Sequence, residues 1–279
     1  MPGAPAAIDR RPFFHERGGQ RLFFLHFPVE TPRGGAVFFA PFAEEMNRAR
    51  RMATLLGEAL ATSGIETLVF DYAGTGDSEG EFGDARWAGW RDDGAAAVDW
   101  LADRTGGPVA AVGLRTGAAL ALEAAAARPG RVSRLTLWQP APSGQLFLTQ
   151  FLRLRLAAAM TGAGPAETTK GLREQLAGGA TLEIAGYDLS PGMAAVLDAM
   201  RLADLPPPDG CPVDWLEVSS AAPPEIAPAG RAAIERWREC GAQVDAEAVA
   251  GPPFWSIQEI TTAPALIEAT VRRLAGALA

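Results

Sequence analysis

Residues 108–130 read PVAAVGLRTGAALALEAAAARPG. An apolar run of buried-strand type breaks at Gly113-Leu114-Arg115-Thr116-Gly117 and passes into an alanine-rich, helix-like segment. Strand, tight turn and helix in that order outline a nucleophile elbow, G-x-S-x-G. Arginine stands at the serine's place. A guanidinium stays protonated at any working pH, so Arg115 cannot attack a carbonyl.

Outward from the elbow, strands and helices alternate. Phe13 to Phe27 holds two short apolar stretches around Gly18-Gly19, which predicts a hairpin. Ala36 to Ala40 and Thr67 to Phe70 read as buried strands. Between them Met46, Ala49, Ala53, Leu56 and Leu60 recur at helical spacing up to a stop at Gly64. Trp87, Trp90, Ala97 and Leu101 mark the next helix, Val109 to Leu114 the third strand, Gly117 to Arg128 the third helix, and Val132 to Trp138 the fourth strand. Short connections between alternating elements predict a mostly parallel sheet with helices on both faces.

The alternation pauses at about 143–205, which reads as a lid inserted into a single domain covering 1–279. Gln145 to Met160 reads as a helix broken by Gly162-Ala163-Gly164-Pro165, Thr181 to Tyr187 as a short strand, and Ser190-Pro191 as an N-cap with a first-turn proline. The sheet resumes at Val213 to Val218, followed by a helix from Ile234 to Cys240, a last strand from Val244 to Val249 and a closing helix from Ala265 to Leu278.

Composition excludes several function classes. A formal charge of −8 over 279 residues argues against a nucleic-acid face. Two cysteines, Cys211 and Cys240, make no disulfide framework, and with two histidines no cluster has metal-ligand spacing. No metal or cofactor is expected. The N-terminus has no signal-peptide core, and no run of about 18 uncharged apolar residues exists to span a membrane. These features fit a reduced, cytoplasmic bacterial protein.

Phe70-Asp71-Tyr72-Ala73-Gly74-Thr75-Gly76-Asp77-Ser78 has the form Asp-x-x-Gly-x-Gly-x-Ser and lies one helix and one strand before the elbow. With the elbow and the lid position, it makes the chain from Ala36 to Leu278 resemble an α/β-hydrolase. Pro41-Phe42-Ala43-Glu44-Glu45-Met46-Asn47-Arg48, Gly113-Leu114-Arg115 and Leu137-Trp138-Gln139-Pro140 carry a narrower resemblance. They resemble the second hydrolase-like family found with exosortase A and exopolysaccharide loci in bacteria. That resemblance implies a role near polysaccharide production or export, and a partner protein in that machinery.

Serine hydrolysis needs a nucleophile, a histidine and usually a carboxylate, in the chain order Ser, acid, His for this fold. The acid position, after the Val213–Val218 strand, reads Ser219-Ser220-Ala221-Ala222-Pro223-Pro224, with Glu225 poorly placed. The histidine position, after the last strand, reads Gly251-Pro252-Pro253-Phe254-Trp255. His15 and His26 both lie in the N-terminal hairpin. Three coordinated absences argue against acyl-enzyme chemistry, and Ser78 reads as a turn-closing serine rather than a nucleophile.

A degenerate elbow retains physical assets. Backbone N–H groups at Thr116 and at about Phe42 or Ala43 would form an oxyanion hole, and Arg115 at a helix N-terminus adds a fixed cation. The candidate ligand-binding residues are therefore Arg115, Thr116, Phe42, Ala43, Glu44, Glu45 and Asp71. Two readings of Arg115 stay open: it clamps a carboxylate or phosphate of an acyl-type ligand under the lid, or it pairs with Glu44, Glu45 or Asp71 and plugs the pocket. The leading expectation is a ligand-binding or scaffold pseudo-hydrolase. The alternatives are an active hydrolase of an ester, thioester or glycan-linked acyl group using non-classical residues, and an interaction module without a pocket.

Overall fold

The computed structural model describes residues 8–159 and 167–278. β1 (Arg11–Arg17) and β2 (Gln20–Phe27) form the expected hairpin, with Arg17 opposite Gln20. Gly18 and Gly19 both take positive φ, the condition for a two-residue turn that matches strand twist. β3 (Gly34–Phe39), α1 (Glu44–Thr62), β4 (Ile65–Phe70), α2 (Trp87–Thr105), β5 (Val109–Leu114), α3 (Gly117–Ala127) and β6 (Val132–Trp138) follow in strict alternation.

After β6 come α4 (Gly144–Ala159), α5 (Thr169–Ala177), a two-stranded hairpin of β7 (Leu182–Ile184) and β8 (Tyr187–Leu189), and α6 (Pro191–Ala199). The sheet then resumes with β9 (Val213–Ser219), α7 (Pro228–Glu239), β10 (Val244–Ala250) and α8 (Pro264–Ala277). The main sheet runs β1-β2-β4-β3-β5-β6-β9-β10, antiparallel at the hairpin and parallel from β4 onward. This is the α/β-hydrolase fold.

Alternate residues of the central strands face opposite helix layers, as the pleat requires. Phe38 faces Met46, Ala49 and Ala53 of α1, whereas Phe39 packs so closely on α2 that a Cβ on Gly94 would lie 2.3 Å from its ring. A sheet covered on both sides accounts for the continuous apolar runs of β3 and β5. Parallel strands all end on one side, so the loops after β3, β5, β6, β9 and β10 converge there, and the elbow sits among them.

The segment between β6 and β9 is tied at its base. Ser143 bridges Arg201, the Gly144 N–H donates to the Met200 carbonyl at 3.0 Å, and the Leu202 N–H to Pro142 at 3.1 Å. Ser190 caps α6 by accepting from the Met193 N–H, with Pro191 in the first turn. The Gly162–Pro165 break and Met160 lie outside the described residues.

Two local expectations change. The strand over Thr181 to Tyr187 is a hairpin instead, turning at Ala185-Gly186, where both φ values are positive. The helix expected from Ile234 begins at Pro228: the Glu217 carboxylate on β9 accepts the Ala227 N–H at 2.8 Å, an end signal supplied from ten residues away. Among the described residues, no helix is long and apolar enough to cross a membrane.

Candidate functional site

The elbow keeps its geometry without its serine. Arg115 is held at φ 56°, a left-handed conformation that costs a non-glycine residue roughly 1–3 kcal/mol and persists only when surroundings enforce it. They do so through the backbone: the Arg115 N–H donates to Trp138 at 3.0 Å, and its carbonyl accepts from Ala118 at 3.2 Å and Ala141 at 3.3 Å. The flanking glycines permit the close approach. A Cβ on Gly113 would meet the Gly117 carbonyl oxygen at 2.6 Å, and one on Gly117 would meet that of Phe39 at 2.3 Å.

The loop after β3 forms the facing wall. Ala43 is strained in the same sense, at φ 52°, and Glu44 starts α1 immediately after it. The Phe42 N–H is consumed by the Thr116 hydroxyl, 3.0 Å away. The Phe42 N–H is therefore not available to a ligand, and of the pair Phe42 and Ala43 only Ala43 still fits the expected donor. Among the described residues, neither the Ala43 nor the Thr116 backbone N–H donates a hydrogen bond. Both backbone donors expected of an oxyanion hole are thus uncommitted, and the Thr116 side chain fixes the loop that carries Ala43.

Arg115 reaches Glu45. Its Nε lies 3.3 and 3.4 Å from the two carboxylate oxygens, and both side chains are largely buried, at 14% and 11% exposed. The guanidinium also lies over the Trp255 ring, 5.5 Å from its centroid, a favourable cation–π arrangement. Only Nε is engaged: among the described residues the Nη groups donate no hydrogen bond, and neither is a sealed, unsatisfied donor. Burial pushes the Glu45 carboxyl up to about 7, opposed by the Arg115 charge and reinforced by Glu44. Burial also raises Glu44, whose Oε2 is enclosed without a hydrogen-bond partner among the described residues.

Arg115, Thr116, Phe42, Ala43 and Glu45 therefore converge, with Glu44 beside them. Asp71 does not join them. It pairs with Arg50 at 2.9 Å and accepts the Asp77 N–H at 3.0 Å, while Ser78 closes the same turn by donating to the Asp71 carbonyl and accepting from Phe23. Asp71 was offered as a candidate partner of Arg115, but its carboxylate is held by the Asp77 N–H of its own turn and by Arg50.

The other two triad positions hold no catalytic group. At the end of β9, Ser219 accepts from the Ala221 N–H, and the buried carboxylate nearest that end, Glu217, is occupied by Trp215 Nε1 and the Ala227 N–H. The loop after β10 places Trp255 against Arg115. His15 stacks on Phe24, and His26 pairs with Glu66 at 2.5 Å near the start of β4, the end opposite the elbow. Burial lowers both histidines, and for His26 this outweighs the opposing effect of Glu66. Among the described residues, no group of three or more His, Cys, Asp or Glu could hold a metal ion.

Four side chains at the site carried no assigned role in the sequence. For Trp255, its place after the last strand, where a histidine would stand, was the available signal. Phe147 and Phe151 of α4 pack edge-on against Phe42 at 5.9 and 5.3 Å, so the inserted segment lies directly over the oxyanion loop. Their i, i+4 spacing was visible, but the partner across the chain was not. Gln139, at φ 41°, links the ends of β6 and β9 by accepting the Val218 N–H at 2.9 Å.

Comparisons with known proteins agree with this architecture. The chain is 32% identical over 120 residues to human mitochondrial palmitoyl-protein thioesterase ABHD10, covering 43% of this chain and 37% of the relative. Its mouse counterpart is 28% identical over 150 residues, 48% of each chain. The matches thus span less than half of these relatives. In structure, mouse ABHD10 superposes with a TM-score of 0.62 at 23% identity, covering 96% of this chain and 98% of that one. The esterase Est1E of Butyrivibrio proteoclasticus, solved with ferulic acid, gives 0.62 at 17%, covering 95% and 97%. The sequence model of the serine aminopeptidase S33 family matches residues 31–171, half of the chain and the part that contains the oxyanion loop and the elbow. The chain belongs to that hydrolase family, with arginine where the family's chemistry calls for serine.

Proposed function

We propose that this protein binds an acyl-type anion at its elbow and does not cleave it, serving exopolysaccharide production as a ligand-binding or scaffold member of its family. The observation that carries this reading is Arg115 itself. A strained backbone projects its guanidinium from the elbow, Nε is tied to Glu45, and the Nη ends are free to form the paired N–H bonds that a carboxylate or phosphate accepts. The uncommitted Ala43 and Thr116 N–H groups add donors of the same polarity. The acyl class is supported by the thioesterase activity in the name of the ABHD10 relatives and by the apolar surroundings that the buried Phe42, Phe147 and Phe151 give the loop beside the site. The exopolysaccharide context rests on the resemblance of Pro41–Arg48, Gly113–Arg115 and Leu137–Pro140.

The test is a panel of activated esters and thioesters, with a serine-directed phosphonate as a covalent probe. Neither the wild type nor Arg115→Ser is expected to turn over substrate above the solvent rate or to take up the phosphonate. A serine alone has no base to accept its proton, because the histidine position holds Trp255 and His26 is engaged with Glu66. Saturable turnover by the wild type that disappears in Arg115→Ala or Glu44→Gln would refute the reading in favour of hydrolysis by non-classical residues.

A further inference from the structure

The elbow pair raises a question of charge balance. With Glu45 ionised, Arg115 and Glu45 form a nearly enclosed pair of net charge zero. An anion arriving at the Nη ends would leave one guanidinium facing two negative groups in a site that excludes most water. An uncompensated buried charge is among the most unfavourable states a protein can adopt, and a carboxylate in that position takes a proton instead. Arginine cannot supply the adjustment, since it keeps its proton at all working pH.

We infer that the elbow binds its anion together with one proton, which is taken up by the Glu45 carboxylate as the ligand replaces it as partner of Arg115. This rests on the anion-binding reading above and specifies how it is coupled to pH. In the step, a proton from solvent bonds to a Glu45 oxygen. The long contact from Arg115 Nε is released, and the guanidinium charge passes to the ligand. No covalent bond in the ligand changes.

The groups facing Glu45 favour this site for the proton. On its own helix, Glu44 adds negative charge and Arg48 a more distant positive one; from the elbow, Arg115 is the opposing cation. Arg48 is partly committed to the Ser256 carbonyl at 3.3 Å, in the loop that carries Trp255. Trp255 contributes no titrating group, and Tyr187 of β8 faces Glu44 while accepting a hydrogen bond from Asn47 at 2.8 Å. Burial already holds Glu45 near 7, so the proton is available close to neutrality.

The sign follows from linkage. Well above pH 7 Glu45 is ionised in the free protein, and binding must take up a proton; well below, it is already protonated and binding takes up none. The test titrates octanoate, which stays ionised throughout, into the full chain by calorimetry between pH 6 and 8.5. Pairs of cationic buffers with different ionisation enthalpies report the protons exchanged. The expected result is uptake near zero at pH 6 and approaching one at pH 8.5, with the dissociation constant rising about tenfold per pH unit at the alkaline end. In Glu45→Gln, octanoate should bind with no proton uptake and with an affinity that varies less than about twofold across the range.

Because the wild-type proton count is itself decisive, the test does not depend on the variant folding. Binding with no proton uptake at pH 8.5 and a flat pH profile would overturn the coupling and leave the anion site standing. Failure of octanoate to bind the wild type or Glu45→Gln at any pH would overturn the anion-binding reading, and the coupling with it.

Discussion

Gly117→Ala should destabilise the protein by roughly 3 kcal/mol, a large effect for one added methyl group. The new Cβ would lie 2.3 Å from the Phe39 carbonyl oxygen and 2.6 Å from that of Ala40, both on the backbone of β3 and its exit. A side chain in the way can rotate aside, but a strand carbonyl in mid-sheet cannot. Either α3 moves away from β3 or the Phe39–Phe42 segment shifts, and both options disturb the elbow and the Thr116–Phe42 bond. Gly89→Ala is the matched control. Gly89 lies in the first turn of α2 with nothing within 4 Å of its added Cβ, so alanine there should stabilise by about 0.5–1 kcal/mol through helix propensity. Urea denaturation midpoints of the two variants should therefore move in opposite directions. Equal stability of Gly117→Ala and the wild type would mean that α3 does not start so close to β3.

The second large effect is expected far from the elbow. Asp214, at the start of β9, is fully buried and accepts from Arg134 Nε at 2.7 Å and from Arg273 Nη1 at 3.1 Å. It ties β6, β9 and α8 together at the end of the sheet opposite the ligand loops. Removing the carboxylate leaves two cations facing one another, at 22% and 13% side-chain exposure. Breaking a buried pair in this way costs roughly 3–5 kcal/mol, and Asp214→Ala should fall near the lower bound because Arg273 keeps Asp245 and Glu247. Chemical denaturation measures the loss. A change below about 1 kcal/mol would contradict a load shared through Asp214. The folded fraction of the variant should bind octanoate as the wild type does, which separates stability from the site.

Much of this fold could be read from the sequence because its signals are local and redundant. β3 and β5 are continuous apolar runs, α1 shows its buried face at every third or fourth residue, and the elbow joins strand to helix with glycines on either side. The site was harder to read in proportion to the distance between partners in the chain. Glu45 was one of three carboxylates offered to Arg115, and only the strained Ala43 turn, which starts α1 beside the elbow, selects it over Asp71. Asp71 ends a strand that is close in topology, but its carboxylate is taken by the Asp77 N–H of its own turn and by Arg50 of α1. Trp255 under the guanidinium and Phe147 and Phe151 over Phe42 are contacts between segments more than a hundred residues apart. No periodicity encodes such contacts.

The absent triad and the retained elbow together define the central claim: Arg115 holds an anion where a relative would hold a reacting carbonyl. Calorimetric titration of octanoate into the wild type and Arg115→Ala at pH 6.5, where Glu45 is largely protonated, tests it most directly. A charge-assisted bond contributes about 1.5–3 kcal/mol, so saturable one-to-one binding should weaken roughly tenfold or more in the variant. Equal affinity in the two proteins would contradict the claim and leave the Arg115–Glu45 pair as a plug in a closed pocket.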